Sequence, residues 1–329
     1  MSIVMKFRIL CALTLTMGMA DLGVGAELND PPQVQLQLAR EVARGITIIP
    51  DPRVNFVPNV GIIEGRNAVL VVDTGLGPEN GRRVAEFARK IAGQRRIYLT
   101  ATHFHPEHSF GAEGFPEPVT FILNDAQAKE RAEKGGPFLE LFRTFGPDVE
   151  AALRDVRLVA PDETYERERS LDLGGRTVLL RAMPAHTRGD QVVFVPDAGV
   201  IFLGDLVENR FIPILPDQDA HGAQWIEVTR KIEALKPKIV VPGHGELAGP
   251  ELIGAVREYL ERVQSAVDER VKQGRSQEEI TRELTPRLKA QYATWDNAVF
   301  IPNSIAVFYA EATHRPLQLP SLEQELGSP

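Results

Sequence analysis

Cysteine is almost absent from this sequence, since only Cys11 occurs among its 329 residues. Cys11 lies in an amino-terminal segment that we expect to be removed, which leaves no thiol ligand, cysteine nucleophile or disulfide bond in the remaining chain. A G-x-S-x-G motif is also missing. The net charge of −8 disfavours a basic surface for nucleic acid. Histidine is scarce, with seven residues, so the positions of the histidines matter more than their number.

The first 26 residues are typical of an export signal. Lys6 and Arg8 give a positive start, residues 9–20 are mainly apolar, and residues 24–26, V-G-A, resemble a small-residue cleavage site. The alternative is a buried amino-terminal helix, against which the acidic residue and glycines after the apolar run argue. We therefore expect a periplasmic or secreted protein. No later stretch is long and apolar enough to predict a membrane anchor.

Apolar patterning predicts an α/β fold. Short apolar runs typical of strands lie at 34–38, 46–49, 57–63, 68–72, 96–101, 176–183, 191–195, 199–203 and 238–241. Apolar residues at helical spacing lie at 79–93, 124–146 and 222–235, the second of these interrupted by glycines and proline at 135–137. Two halves with a similar order of elements, 34–123 and 155–246, are expected to build the sheets.

The remainder of the chain is expected to be a helical extension. An apolar stripe over 252–267 predicts a long helix, Ser276 begins a capping-box sequence, and 300–312 is a further helical candidate. The predicted organisation is thus a signal peptide (1–26), a sheet-containing domain (27–249) and the extension (250–329). The extension could pack on the core, cover a site or form a dimer.

Residues 102–108, T-H-F-H-P-E-H, concentrate potential metal ligands in one short segment. His103, His105 and His108 supply imidazoles and Glu107 a carboxylate, the ligand set of zinc and similar divalent ions. The segment directly follows a predicted strand, where a loop can turn several side chains toward one point. The alternative is a solvated histidine-rich loop.

Three further segments place ligand types at strand ends. His186 follows one predicted strand in M-P-A-H-T, Asp205 follows another in F-L-G-D, and His244 follows a third in V-P-G-H-G. A lone histidine is usually structural. Four strand-end segments that all carry ligand types instead favour a metal centre.

These segments, in this order, resemble the metallo-β-lactamase superfamily. Its signature is H-x-H-x-D-H, followed by a distant His, an Asp or Cys, and a final His; residues 71–75, V-V-D-T-G, are also similar to the turn that precedes it. The resemblance covers roughly residues 34–246. It implies an αβ/βα four-layer sandwich with a metal site along one edge of the paired sheets.

The resemblance implies seven metal ligands in two groups that share one carboxylate. They are His103, His105 and His186 for the first metal, Glu107, His108 and His244 for the second, and Asp205 as the bridge. An Asp at the bridging position is similar to the glyoxalase-II and lactonase branches of the family. We expect two Zn²⁺ per chain, with one iron as the alternative.

Three further residues near these segments receive supporting roles. Asp73 is expected to hold the histidine loop by hydrogen bonds, although a simple turn aspartate is the alternative. Gly204 and Gly243 are expected to let the backbone approach the metals closely.

Glu107 departs from the family pattern, which usually has Asp at this position. Its longer side chain leaves three possibilities open: the second metal moves, the loop recedes, or Glu107 acts as a base or hydrogen-bond partner. Together with Asp205 and His221 it is a candidate catalytic residue. His221 lies in a loop between the bridging Asp and the last ligand, and is either part of the substrate mouth or a surface residue. His314 is expected to be incidental.

The expected activity is that of an exported zinc-dependent hydrolase, in which a hydroxide shared by two metals cleaves a small ester, lactone, β-lactam or related substrate. Two alternatives remain. One is a mononuclear iron sulfur dioxygenase, and the other is a non-catalytic metal-binding accessory protein of a periplasmic redox system. A small molecule is the expected partner; the oligomeric state is open.

Overall fold

The computed structural model describes residues 31–320. Within that range the chain forms two β-sheets covered by α-helices. The predicted signal peptide, residues 1–26 with Cys11, lies outside the described residues. None of the described helices has the length and apolarity that crossing a membrane requires.

The first sheet consists, over the described residues, of seven strands in chain order. They are β1 (Arg40–Ala43), β2 (Ile46–Ile49), β3 (Val60–Glu64), β4 (Ala68–Val72), β5 (Arg96–Thr100), β6 (Val119–Asn124) and β7 (Glu163–Tyr165). Strands β1 to β4 pair antiparallel, and β4 to β7 pair parallel. The carboxyl ends of β4 and β5 therefore lie at the same edge.

The second sheet has five strands within residues 31–320, in the order β12-β11-β10-β9-β8. They are β8 (Glu168–Asp172), β9 (Thr177–Ala182), β10 (Gln191–Val195), β11 (Val200–Phe202) and β12 (Ile239–Val241). Strand β10 is antiparallel to both β9 and β11, whereas β11 and β12 are parallel. Strands β9, β11 and β12 consequently point in one direction and end at a common edge.

Eight α-helices occur in the described part of the chain. They are α1 (Gly77–Ala92), α2 (Pro106–Ser109), α3 (Asp125–Arg143), α4 (Pro147–Ala152), α5 (Gly222–Ala234), α6 (Glu251–Lys272), α7 (Gln277–Gln291) and α8 (Ile301–Thr313). Ser276 caps α7, and the reciprocal hydrogen bonds of the capping box are present, as the sequence predicts.

Both faces of each sheet are covered, which explains the continuous apolar runs of their strands. In β10, Val193 and Val195 pack into the core between the two sheets, with Leu70 of the first sheet. Val192 and Phe194 alternate with them and pack outward, against α5 and α6. Helix α1 covers the outer face of the first sheet. The layers are α, β, β and α, which confirms the expected sandwich.

The carboxy-terminal helices belong to the same core as the second sheet. Tyr259 of α6 is fully buried beside Trp225 of α5 and Phe308 of α8. Its hydroxyl makes a 3.0 Å hydrogen bond with the hydroxyl of Ser304 in α8. Of the three roles considered for the extension, packing on the core is therefore observed.

Two predictions about local structure are wrong. Residues 34–38 are not a strand but lead into a 3₁₀ turn at Leu36–Leu38, because the Val34 amide donates to Asn80 Oδ1 at 2.9 Å instead of to a sheet. The predicted interruption at 135–137 is absent, since α3 continues through Pro137. Glu133, whose carbonyl loses its helical partner there, is exposed and can bond to water.

Four strands have no counterpart in the predicted pattern. Strands β1, β7 and β8 contain charged residues. In β8 there are three of them, Glu168, Arg169 and Asp172. Strand β6 runs directly into α3 at Asn124, whose side chain caps the helix by accepting from the Gln127 amide. No turn residue therefore separates this strand from the helix in the sequence.

Candidate metal centre

Strand ends bring the predicted ligands together at one edge of the sandwich. The loop after β5 carries His103 and His105, and α2 continues it with Glu107 and His108. On the second sheet the ligands follow β9, β11 and β12. They are His186, Asp205 and His244. All seven are buried, although their residue types favour water unless they are paired or bind metal.

The first group of ligand atoms comes from His103, His105, His186 and Asp205, all within 4.8 Å of one another. His186 Nε2 lies 3.2 Å from His105 Nδ1. Asp205 Oδ2 lies 3.6 Å from His103 Nε2 and 3.8 Å from His186 Nε2. Three imidazoles and one carboxylate thus converge on one point, as the resemblance implies.

The second group comes from Glu107, His108, Asp205 and His244, again within 4.8 Å of one another. Asp205 Oδ1 lies 3.2 Å from His108 Nε2 and 3.9 Å from His244 Nε2. The carboxylate of Glu107 reaches this group despite its extra methylene. Each oxygen of Asp205 consequently faces a different group, which is the arrangement of a bridging carboxylate.

The group of donors fits divalent cations. Buried atoms on His103, His105, Glu107, His108 and Asp205 have no hydrogen-bond partner among the described residues. Such orphaned polar atoms are rare in a folded interior because each costs desolvation energy. Metal ions at these two points would satisfy them with the ligand types that zinc prefers.

Protonation states agree with cation binding. Burial lowers the pKa of His103 and His105 well below the usual range, which keeps the imidazoles in the neutral form that binds metals. Burial opposes the charge of Asp205, but the neighbouring His108 and His103 outweigh it and lower the pKa of the carboxyl. For His108, burial is likewise outweighed, by the carboxylates of Asp205 and Asp73, and the pKa rises.

Asp73 holds the first ligand loop. Its Oδ1 accepts from the Thr102 amide at 2.6 Å, and its Oδ2 lies 3.0 Å from both Thr102 Oγ1 and His108 Nδ1. These contacts orient the His108 ring so that its Nε2 points toward Asp205. The hydrogen bonds that the sequence predicts for Asp73 are present, in the second coordination layer that metal sites commonly need.

Asp190 and Asp51 support the other two histidine loops. Asp190 Oδ2 accepts from the amides of Ala185, His186 and Thr187 at 2.7–2.9 Å. Asp51 Oδ2 accepts from the Gly245 amide at 2.7 Å, directly after His244. Burial raises the pKa of both carboxyls.

Residues 53–244 match the sequence profile described as "Metallo-beta-lactamase superfamily". The chain belongs to this superfamily. This is a superfamily of metal-dependent hydrolases, and the relatives with named activities are hydrolases. The predicted ligands His103 and His105 lie on the loop after β5, and His108 lies on α2 directly after it.

Curated relatives carry two kinds of activity in their names. The chain is 29% identical over 212 residues to the acyl-coenzyme A thioesterase MBLAC2 of Homo sapiens, which covers 59% of this chain and 75% of that protein. It is 22% identical over 240 residues to a linear primary-alkylsulfatase of Pseudomonas sp., which covers 63% of this chain and 44% of that protein. The match therefore spans less than half of the alkylsulfatase.

Solved structures share the fold. A metallo-β-lactamase from Pontibacter korlensis superposes with a TM-score of 0.56 at 19% identity, over 68% of this chain and 98% of that one. The sec-alkylsulfatase Pisa1 from Pseudomonas sp. gives a TM-score of 0.66 at 14% identity, over 83% of this chain and 50% of that one. The match to the sec-alkylsulfatase covers more of this chain than the match to the metallo-β-lactamase.

Two glycines allow close packing within the site, while the predicted approach of their backbone to the metals stays a prediction. A methyl group on Gly243 would overlap Oδ1 of Asp205. Gly204 has a φ of +52°, and a methyl group there would lie 2.5 Å from Thr102 Oγ1. Both positions therefore require the absence of a side chain.

His221 does not join the two ligand groups. It is exposed at the start of α5, and its amide donates to Ala185 O at 2.9 Å. That bond places its backbone beside the His186 loop, while a catalytic role for its ring stays a prediction. His314 ends α8 with a φ of 54° and is exposed, as expected for an incidental residue.

Glu208 is a site residue that the sequence did not indicate. It is only 4% exposed, and its Oε2 has no hydrogen-bond partner among the described residues. Burial, the charge of Asp205 and the charge of Glu107 raise its pKa well above the usual range. In the sequence, only its position three residues after Asp205 points to a place in the site. That spacing does not distinguish a buried site carboxylate from a surface one.

Proposed function

We propose that this protein is an exported hydrolase with two zinc ions that cleaves an ester-type bond of a small molecule. The observation that carries the proposal is the sharing of Asp205 between the two ligand groups. Its Oδ2 faces His103 at 3.6 Å, and its Oδ1 faces His108 at 3.2 Å. Eight ligand positions from seven residues suit a pair of ions better than one.

When bound, two such ions supply a Lewis acid for the substrate oxygen and an activated water at neutral pH. The protein residues then have defined tasks. His103 and His105 stay neutral because they are buried. Asp73 fixes the tautomer and orientation of His108 through a 3.0 Å contact with Nδ1. The loops are thereby organised before the substrate arrives.

The hydroxyl groups on the histidine loop are already engaged. Thr102 Oγ1 lies 3.0 Å from Asp73 Oδ2, and Ser109 Oγ donates to Phe104 O at 2.7 Å. Ser109 Oγ has no histidine contact among the described residues. Thr102 Oγ1 lies 3.3 Å from His103 Nδ1 and 3.4 Å from His108 Nδ1, but this hydroxyl is buried, and both rings are predicted metal ligands rather than free bases. This favours attack by water over a covalent intermediate on either side chain.

The relatives favour ester-type bonds. MBLAC2 is named as a thioesterase and the Pseudomonas relative as an alkylsulfatase. We therefore place carboxylic esters, thioesters and sulfate esters before lactones and β-lactams. The likeness to β-lactamase structures, at 17–19% identity, concerns the fold alone.

Metal analysis combined with a substrate panel tests the proposal. The purified protein is assayed on a carboxylic ester, a thioester, an alkyl sulfate, a lactone and a β-lactam, before and after chelation. We expect zinc-restorable hydrolysis of at least one of the first three. One iron with oxidation of a persulfide would instead indicate the dioxygenase, and metal without any turnover would indicate the accessory role.

Export is tested separately from activity. The positive start, apolar run and V-G-A site predict that the mature chain begins near Glu27. Amino-terminal sequencing of protein from a periplasmic or secreted fraction measures this. An active, exported form that still begins at Met1 would contradict cleavage.

A further inference from the structure

An aromatic band borders the metal centre on the side formed by α3. It consists of Phe56, Phe138, Phe142 and Phe145. The ring of Phe138 stacks on His105 at 5.1 Å with an interplanar angle of 18°. The band thus begins in direct contact with a predicted ligand of the first metal.

The band continues from Phe138 along α3. Phe138 and Phe142 have ring centroids 6.3 Å apart, and Phe142 and Phe145 are 5.3 Å apart. Phe56 stacks on Phe145 at 5.5 Å and closes the band from the other side. The rings of Phe138, Phe142 and Phe145 together form an apolar path that is longer than an acetyl group.

The segment that carries Phe56 also contacts the other ligand group. Phe56 directly precedes Val57, whose carbonyl oxygen lies 3.2 Å from His244 Nδ1. The ring of Phe138 thus contacts a ligand of the first group, and the backbone next to Phe56 contacts a ligand of the second. A substrate whose reacting bond lies beside His105 would have the ring of Phe138 next to it, with Phe142 and Phe145 further along.

The rings pack on a buried cluster that includes Phe142 and Leu76, but three of them keep part of their surface exposed. Phe142 is buried, but Phe56, Phe138 and Phe145 are each half-buried. Exposed phenyl rings cost hydration free energy, which an apolar ligand recovers when it covers them. The neighbouring cation, Arg143, is paired with Glu140 at 2.8 Å and donates to Leu153 O, so it is not aimed at an anionic tail.

We infer that the aromatic band binds an unbranched apolar chain, the acyl or alkyl part of the substrate, and that the enzyme prefers medium-length chains to short ones. This inference rests on the proposed function for the bond that is cleaved, but the binding of the chain can be measured without turnover. The alternative is that the rings only pack α3 and α4 against the fold.

Hydrolysis of p-nitrophenyl butyrate and p-nitrophenyl decanoate by the zinc-loaded protein tests chain preference. We expect kcat/KM to rise about two- to fourfold for each added methylene, the range for partial to full burial of that group. The ratio of decanoate to butyrate rates should fall at least tenfold in Phe138→Ala and Phe56→Ala, and less in Phe138→Leu, which keeps an apolar side chain. Phe87→Ala is the matched control, because Phe87 is also half-buried and packs on a core cluster, but it lies on α1 in a cluster that contains none of the predicted ligands.

Calorimetry supplies a second measurement that needs no turnover. Dodecanoate should bind the zinc-loaded protein at least tenfold more tightly than butyrate, with a negative heat-capacity change from apolar burial. That difference should shrink in Phe138→Leu and Phe138→Ala and persist in Phe87→Ala, with circular dichroism confirming the fold of each. Equal binding of the two acids, or an unchanged difference in both Phe138 variants, would overturn the inference. Absence of hydrolysis alongside chain-dependent binding would instead count against the proposed function only.

Discussion

Gly243 faces Asp205 so closely that a methyl group in place of its hydrogen would overlap Oδ1 of the carboxylate. The contact joins the loop after β12 to the loop after β11. The Gly243 amide also donates to Gly204 O at 2.8 Å. The bridging carboxylate therefore has its position set partly by the backbone of a neighbouring loop.

Substitution of that glycine should damage the site more than the fold. Gly243→Ala is expected to displace Asp205, reduce metal content below two equivalents and lower kcat/KM about 100-fold, as small misplacements of reacting groups do. Gly254→Ala in α6 is the control, because the nearest atom to its added methyl would be 3.7 Å away. Metal analysis and steady-state kinetics on both variants measure the difference. Normal metal content in Gly243→Ala would show that the contact does not position Asp205.

Variants of Glu107 test the effect of having glutamate where the family usually has aspartate. Glutamate reaches roughly 1.5 Å further than aspartate, yet its carboxylate lies within 4.8 Å of the other second-group atoms. We expect Glu107→Gln to lower occupancy from two metals toward one, whereas Glu107→Asp keeps two. Metal analysis at matched free zinc compares them. Two full equivalents in Glu107→Gln would mean that the carboxylate is not required to hold the second ion.

Asp190 should be needed for the stability of the His186 loop. Asp190→Ala leaves the buried amides of His186 and Thr187 without an acceptor and the Ala185 amide with only its 3.1 Å bond to Thr187 O, at a cost of about 2–3 kcal/mol. Asp190→Asn keeps an acceptor oxygen and should retain most of the stability. Thr187→Val removes only the 2.5 Å hydroxyl contact with Oδ1 and serves as the smaller control. Urea unfolding gives the comparison, and equal midpoints for Asp190→Ala and wild type would contradict the assigned role.

The ligand groups and the supporting role of Asp73 were predictable from the sequence, whereas the supporting roles of Asp51 and Asp190 were not. His103, His105 and His108 lie in one short segment, and the other ligands follow recognisable strands. Asp51, in contrast, supports Gly245 across 194 positions of sequence. Nothing near Asp51 in the chain indicates that partner, because only the pairing of distant strand ends brings the two together.

The aromatic band was hidden for the same reason. Phe138 lies more than thirty positions after His105, in a segment where the glycines and Pro137 predicted a break. The continuity of α3 through that segment places the ring on His105. The glycine at position 135 therefore reflects close packing rather than a break in the helix, because a methyl group there would lie 2.5 Å from Leu158.

Lys134 connects α3 to the loop that carries His221. Its Nζ lies 2.9 Å from Glu130, 2.6 Å from Asp217 and 2.5 Å from Asp219. The side chain of Glu130 is fully buried. Burial raises the pKa of Glu130, and the ammonium of Lys134 opposes that rise.

Removal of this ammonium should make stability depend on pH. In Lys134→Met the pKa of Glu130 rises further, so the folded state holds a proton that the unfolded state has lost above about pH 4.3. Stability is then present at low pH and is lost as pH rises, and the deficit relative to wild type should grow to about 3 kcal/mol by pH 7. Urea unfolding at pH 5 and pH 7.5 measures it. Lys129→Met, at an exposed pair with Glu133, should change stability by less than about 0.5 kcal/mol; a pH-independent deficit in Lys134→Met would contradict the assignment.

Zinc titration of the metal-free protein, with hydrolysis followed at each step, tests the two-metal centre most directly. We expect two equivalents to bind in wild type and full activity to return only as the second binds. Asp205→Asn replaces the shared carboxylate by a neutral amide. This variant should bind zinc less tightly at both positions while it keeps the circular dichroism spectrum of the wild type. Saturation of wild type at one equivalent, or an Asp205→Asn variant with unchanged stoichiometry and rate, would contradict the account.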